Sequence, residues 1–135
     1  MLKEILRLVM LTAMPVLIII GCKKEPWAEE VMWEGDFSVD ELDYYGTSPS
    51  LNFLSGDSIC ITISNFQTTH RVQMYVRKGG STGELYCFWL NLGDGYYHHY
   101  ISETNQYVVC IFWQEQATPP AVCTGHCRVV RKYAQ

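Results

Sequence analysis

Basic residues are scarce in this sequence: ten Lys and Arg stand against fourteen Asp and Glu, for a formal charge of -4. That balance excludes a protein that tracks phosphates through a basic groove, so no nucleic-acid partner is expected. No stretch of about 10–15 residues carries a helical period, which argues against helices as the main elements. No uncharged run reaches the roughly 20 residues that a membrane-spanning helix needs. The local signatures His-Glu-x-x-His, Gly-x-x-x-x-Gly-Lys and Gly-x-Gly-x-x-Gly are all missing, and no cofactor is implied. Internal repeats and low-complexity tracts are absent too. What remains is apolar and aromatic: 48% of the 135 residues are hydrophobic and only 18% charged, with nine Tyr and four Trp. Such a chain folds, as one domain at most, and its side chains suit half-buried pleated surfaces.

The N-terminus reads as an address. Charges at Lys3, Glu4 and Arg7 precede an uncharged run over residues 8–21 that Pro15 interrupts, the n-region and h-region of an export signal. The run ends Ile19-Ile20-Gly21-Cys22, which resembles the lipobox of bacterial lipoproteins: apolar residues, a small residue at the cut site, then the cysteine that receives lipid. Ile20 departs from the Ala or Ser most common at its position. The resemblance implies that 1–21 is a lipoprotein signal peptide, that Cys22 is the lipidation site, and that the lipid holds the protein on a membrane of the bacterial cell envelope. Lys23 follows where an Asp would signal inner-membrane retention, so the outer membrane is expected if the envelope is Gram-negative. An ordinary signal peptide cut elsewhere and an uncleaved anchor are the rival readings.

Residues 22–35 read as the lipidated cysteine and an acidic tether. Eight acids and no base fall within 25–43, broken by Trp27, Trp33 and Phe37. A solvated linker feeding a first strand fits this composition, with a short helix over 29–33 as a local alternative. The folded domain is expected over 36–135. There the pattern turns to period two: Ile59, Ile61 and Ile63 alternate with Cys60, Thr62 and Ser64, and Val72, Met74 and Val76 repeat the alternation. Segments 85–90 and 107–113, apolar on both faces, read as central strands, with further strands over 96–101 and 128–133. Gly and Ser at 79–83 and Gly93-Asp94-Gly95 are turn signals, the second a hairpin signal, and Thr118-Pro119-Pro120 ends a strand. The expected fold is all-β: an antiparallel β-sandwich, jelly-roll or Ig-like, of seven to eight strands.

Three segments carry a second resemblance: 40–45, with its Asp and Tyr; 51–63, with Gly56-Asp57 before an alternating strand; and 105–111, with Tyr107 opening an apolar strand. Together they resemble the jelly-roll of bacterial pre-peptidase C-terminal domains, although Gln106 stands where that family has Gly. The resemblance implies a non-catalytic sandwich and no particular ligand.

An exported protein meets an oxidising compartment, so the cysteines after Cys22 are first read as disulfide candidates. Cys123 and Cys127, with Gly125 to turn the chain between them, form the first expected pair; Cys60 and Cys110 form the second, leaving Cys87 as a buried thiol. A metal or thiol-redox centre at Cys123, His126 and Cys127 is the alternative. On a strand over 96–101, Tyr96, His98 and Tyr100 share one face, a candidate ligand face for sugar stacking, and Tyr97 and His99 share the other. Asp94, His98 and His99 near one turn are the only residues to suggest a small hydrolase. The leading expectation is no enzyme but a membrane-anchored envelope lipoprotein whose sandwich binds an envelope protein or a glycan.

Overall fold

The computed structural model describes residues 26–40 and 45–135, with 45–47 as backbone only. The signal segment, Cys22 and the stretch 41–44 lie outside the described residues. Nine strands follow in order: β1 (Trp27–Asp40), β2 (Tyr45–Thr47), β3 (Leu51–Phe53), β4 (Ser58–Thr68), β5 (Val72–Lys78), β6 (Glu84–Trp89), β7 (Gly95–Tyr100), β8 (Asn105–Trp113) and β9 (Val122–Ala134). They pair antiparallel in two sheets, sheet A in the order β1-β9-β4-β7 and sheet B in the order β2-β8-β5-β6, with β3 on a different stretch of β8. β2 and β3 are halves of one line along β8. The Ser48 amide still bonds Val109 between them, and Pro49, which has no N–H to give, interrupts the ladder. Eight lines of strand in this order make a jelly-roll, one of the two expected sandwiches.

The core forms where the alternating residues of the two sheets meet. Ile59, Ile61 and Ile63 of β4 with Cys127 and Val129 of β9 face Val72, Met74 and Val76 of β5 and Tyr107, Val109 and Ile111 of β8. Burying each large side chain contributes about 1.5–3 kcal/mol, which is why the alternation sets which face of each strand points inward.

Two expectations change here. The acidic segment before residue 36 is neither tether nor helix from Trp27 onward: it is the first half of β1, paired with β9 from Trp27↔Ala134. Its acids face bases on β9 that lie far away in sequence, with Glu29 meeting Lys132 at 3.7 Å and Glu30 meeting Arg131 at 3.6 Å. Gly93-Asp94-Gly95 is likewise no hairpin. β6 belongs to sheet B and β7 to sheet A, so this loop crosses between sheets. The Asp94 carboxylate accepts the Phe66 amide at 2.9 Å, which ties the crossing loop to the end of β4.

At the pole where β1 begins and β9 ends, the turn 54–57 is fixed by a buried charge. Gly56 takes a φ of +99°, and the Asp57 carboxylate accepts the Leu54 amide at 2.8 Å and the Arg131 Nε at 2.6 Å. Arg131 in turn lies 4.7 Å over the Tyr133 ring. A buried carboxylate is tolerable because it is paired and hydrogen-bonded.

Candidate functional site: the outer face of sheet A

β7 is an edge strand, and its period-two alternation divides six residues between two environments. Tyr97 and His99 turn inward: the Tyr97 ring meets Trp89 at 5.7 Å and its hydroxyl bonds the backbone of Gly93, while His99 stands edge-on to Tyr86 at 5.2 Å. Tyr96, His98 and Tyr100 turn outward together. Tyr96 and Tyr100 are each 59% exposed, and the Tyr96 and His98 rings lie 5.8 Å apart.

The register extends this edge into a table of side chains. Opposite Tyr100 come Ser58, Lys132 and Glu29; opposite His98 come Cys60, Val130 and Val31; opposite Tyr96 come Thr62, Arg128 and Glu34. A further row holds Ser64, His126 and Asp36. The face is therefore zoned into an aromatic edge, a strip of small polar groups on β4, a cationic strip on β9 and an acidic edge on β1. Its ion pairs run between the last two zones: Arg128 to Glu34 at 3.9 Å, and His126 to Asp36 and Glu34 at 2.7 and 2.9 Å. The hydrogen bond to Glu34, then that to Asp36, raises the His126 pKa above the ordinary 6.5. Beneath the aromatic edge, the Tyr96 phenol is pushed up to about 12, first by its hydrogen bond with the Cys60 thiol and then by burial.

Such a surface offers stacking faces next to hydroxyl donors and acceptors. Tyrosine rings pack on the apolar faces of flat ligands while their hydroxyl ends remain hydrated. The small polar and charged strips can hydrogen-bond the polar rim of whatever lies on the rings. Sequence reasoning named the three rings but missed Ser58, Thr62, Ser64 and Arg128 as their neighbours. Alternation placed Thr62 and Ser64 opposite the isoleucines, yet nothing local says that β4 lies next to β7.

The cysteine assignments are overturned by the same alternation. β9 runs extended through Gly125, which pairs with Phe37, so Cys123 and Cys127 are about 13 Å apart, beyond the 7 Å reach of a disulfide. Cys60 lies on the outer side of sheet A, opposite in phase to Ile59 and Ile61, and Cys110 on the outer side of sheet B, opposite in phase to Val109 and Ile111, so two sheets separate them. All five described cysteines are free. The metal alternative fails geometrically, because Cys123 and Cys127 point into the core and His126 points out to Asp36 and Glu34. Among the described residues, no group of three or more His, Cys, Asp or Glu could hold a metal ion. A thiol-redox role fares no better: burial pushes Cys87 and Cys127 up to about 12 and raises Cys110 and Cys123, away from reactive thiolate. The hydrolase residues also diverge, with Asp94 on the Phe66 amide, His98 outward and His99 inward.

The outer face of sheet B is different in kind. Tyr75 packs with Phe112 at 5.1 Å and Phe88 at 6.0 Å, and the Arg77 guanidinium lies near Tyr75 and Phe112 at 5.8 and 5.7 Å. Leu85, Phe88 and Leu90 on this side are about half exposed.

No protein-family model matches the chain, and no curated protein matches it in sequence. Solved structures do resemble it. One is PliG of Aeromonas hydrophila, a periplasmic inhibitor of g-type lysozyme, at 16% identity over 78% of this chain and 85% of that one, with a TM-score of 0.49. Another comes from Bacillus endospore appendages, described as a family of disulfide-linked pili, at 13% identity over 84% of this chain and 93% of that one, with a TM-score of 0.50. At these identities the likeness is one of fold alone.

Proposed function

We propose that the chain is a lipid-anchored protein of the bacterial envelope whose non-catalytic jelly-roll binds a glycan on the outer face of sheet A. The observation that carries this reading is the exposure of Tyr96, His98 and Tyr100 side by side on one edge strand, next to hydroxyl-bearing Ser58 and Thr62. Two phenol rings and an imidazole in a row on an exposed sheet face suit an extended chain of sugar rings better than a small molecule. The envelope is the compartment in which the lipobox would place the protein, and Lys23 after Cys22 favours the outer membrane where there is one. Catalysis has no part in this reading, because the titratable groups of β7 and its loop face three different ways.

The test uses the exported full-length protein in detergent, titrated calorimetrically with soluble peptidoglycan strands and with chitooligosaccharides. Tyr96→Ala and Tyr100→Ala should each weaken binding by roughly fivefold, the effect of about 1 kcal/mol of lost stacking, without lowering the melting temperature. Equal affinity in wild type and in the double variant would remove the sheet A face from the reading. No binding to either glycan, with reproducible capture of one envelope protein by crosslinking at position 96, would replace the glycan with a protein partner.

A further inference from the structure

We infer that the pole of the sandwich where β1 begins is seated on the lipid surface, with Trp27 and Leu54 in the headgroup layer. The inference rests on the lipid-anchor reading of Cys22 and adds an orientation to it. Only Lys23, Lys24, Glu25 and Pro26 separate Cys22 from the first residue of β1. Five Cα steps of about 3.3–3.6 Å span at most about 18 Å. β9 alone, at about 3.4 Å per residue, is more than twice that long.

The leash cannot easily be lengthened by peeling β1. Gln135 donates its amide to the Pro26 carbonyl at 3.2 Å, and the first rungs of the ladder carry the Glu29–Lys132 and Glu30–Arg131 ion pairs. This pole is therefore held within reach of the headgroups wherever the rest of the domain points.

What the pole presents fits a lipid interface. Trp27 is 46% exposed and Leu54, at the head of the turn 54–57, is 51% exposed. Indole is the side chain best suited to the headgroup layer, and a projecting leucine beside it adds apolar area. The neighbouring loop 79–83 is Gly-Gly-Ser-Thr-Gly, without charge. Five described acids near this end already face a base: Glu103 and Glu84 meet Lys78 at 2.9 and 3.4 Å, Asp57 and Glu30 meet Arg131, and Glu29 meets Lys132. Approach to the membrane then leaves these five carboxylates paired. The apolar flank of sheet B is the competing surface, but β6, which carries Leu85 and Phe88, lies at the opposite edge of the sandwich from β1. Seated this way, the strands of sheet A rise from the membrane, with Tyr100 near it and Tyr96 farther out.

The experiment purifies the full-length exported protein from membranes and reconstitutes it in phosphatidylethanolamine–phosphatidylglycerol vesicles containing a shallow nitroxide-labelled lipid. Acylation is read by intact mass, anchoring by vesicle flotation, and contact by quenching of tryptophan fluorescence. Wild type should be quenched, and Trp27→Phe should lose at least half of that quenching while still floating. A flexible Gly/Ser insert of about 20 residues after Glu25, or Leu54→Ser, should reduce it as well. Quenching unchanged in Trp27→Phe, with acyl mass and flotation intact, overturns the orientation and leaves the anchor standing. Quenching of an indole introduced by Phe88→Trp in the Trp27→Phe background, stronger than that of wild type, would put the sheet B flank on the lipid and overturn it equally. A protein with no acyl mass that does not float overturns both the anchor and the orientation.

Discussion

His126 and Asp36 meet across the β1–β9 ladder with Nδ1 and Oδ1 2.7 Å apart, and Glu34 takes the other ring nitrogen at 2.9 Å. One imidazole thus clasps two acids of the edge strand that begins the domain. Arg128 shares the Glu34 carboxylate from 3.9 Å, and Ser64 of β4 flanks the ring on its other side. The raised His126 pKa means that the folded state holds the proton more tightly than the unfolded chain does. Below the ordinary value of 6.5 both states are protonated and the clasp contributes in full; as pH rises through the folded value that contribution is lost.

The expected result is a stability gap between wild type and His126→Gln that is widest at pH 5.5 and narrows by pH 8.5. Urea unfolding midpoints at low salt measure it. Added salt should shrink the acid-side gap, because the pair is partly exposed and screened. A gap that does not change with pH would show that the imidazolium is not what holds β1.

The described thiols should be silent in the native protein. At pH 8 burial keeps Cys87, Cys110, Cys123 and Cys127 protonated, so iodoacetamide should label them slowly in buffer and fully in urea. Non-reducing digestion read by mass spectrometry should recover Cys123 and Cys127 as unlinked peptides. A Cys123–Cys127 bridge would require β9 to break at Gly125, contrary to its continuous pairing with β1.

How much of this was legible depended on whether the determining contact is local. Ile59, Ile61 and Ile63 announce their own buried face, and the strand count with its sandwich class follows from several such segments. β1 hides because its phase slips at Met32. Val31 faces outward, Trp33 inward, and the register shifts between them, so the acids look continuous although Glu29, Glu34 and Asp36 occupy the outer face and Glu30 the other. The Tyr96, His98 and Tyr100 face could be read from one strand, whereas its hydroxyl and ionic neighbours depend on which strands lie beside it. Cys123 and Cys127 misled for the same reason: Gly125 looked like a turn residue, and the ring it accommodates belongs to a residue almost ninety positions earlier.

That ring gives the last prediction. A Cβ at Gly125 would sit 2.6 Å from the Phe37 Cζ and 2.9 Å from its Cε1, closer than non-bonded carbons approach. Phe37 has little room to give, since it is buried in the core cluster and packs on Phe66 at 6.4 Å. Gly125→Ala should therefore cost about 1–3 kcal/mol through overpacking, not through backbone strain. Phe37→Leu alone should also be destabilising, because it removes buried aromatic area, but it shortens the side chain that the new methyl meets. The double variant Gly125→Ala with Phe37→Leu should be more stable than the two single losses added together, by at least about 1 kcal/mol of coupling in urea unfolding. Strict additivity would mean that glycine is needed at position 125 for its backbone alone, as a turn between the two cysteines would have required.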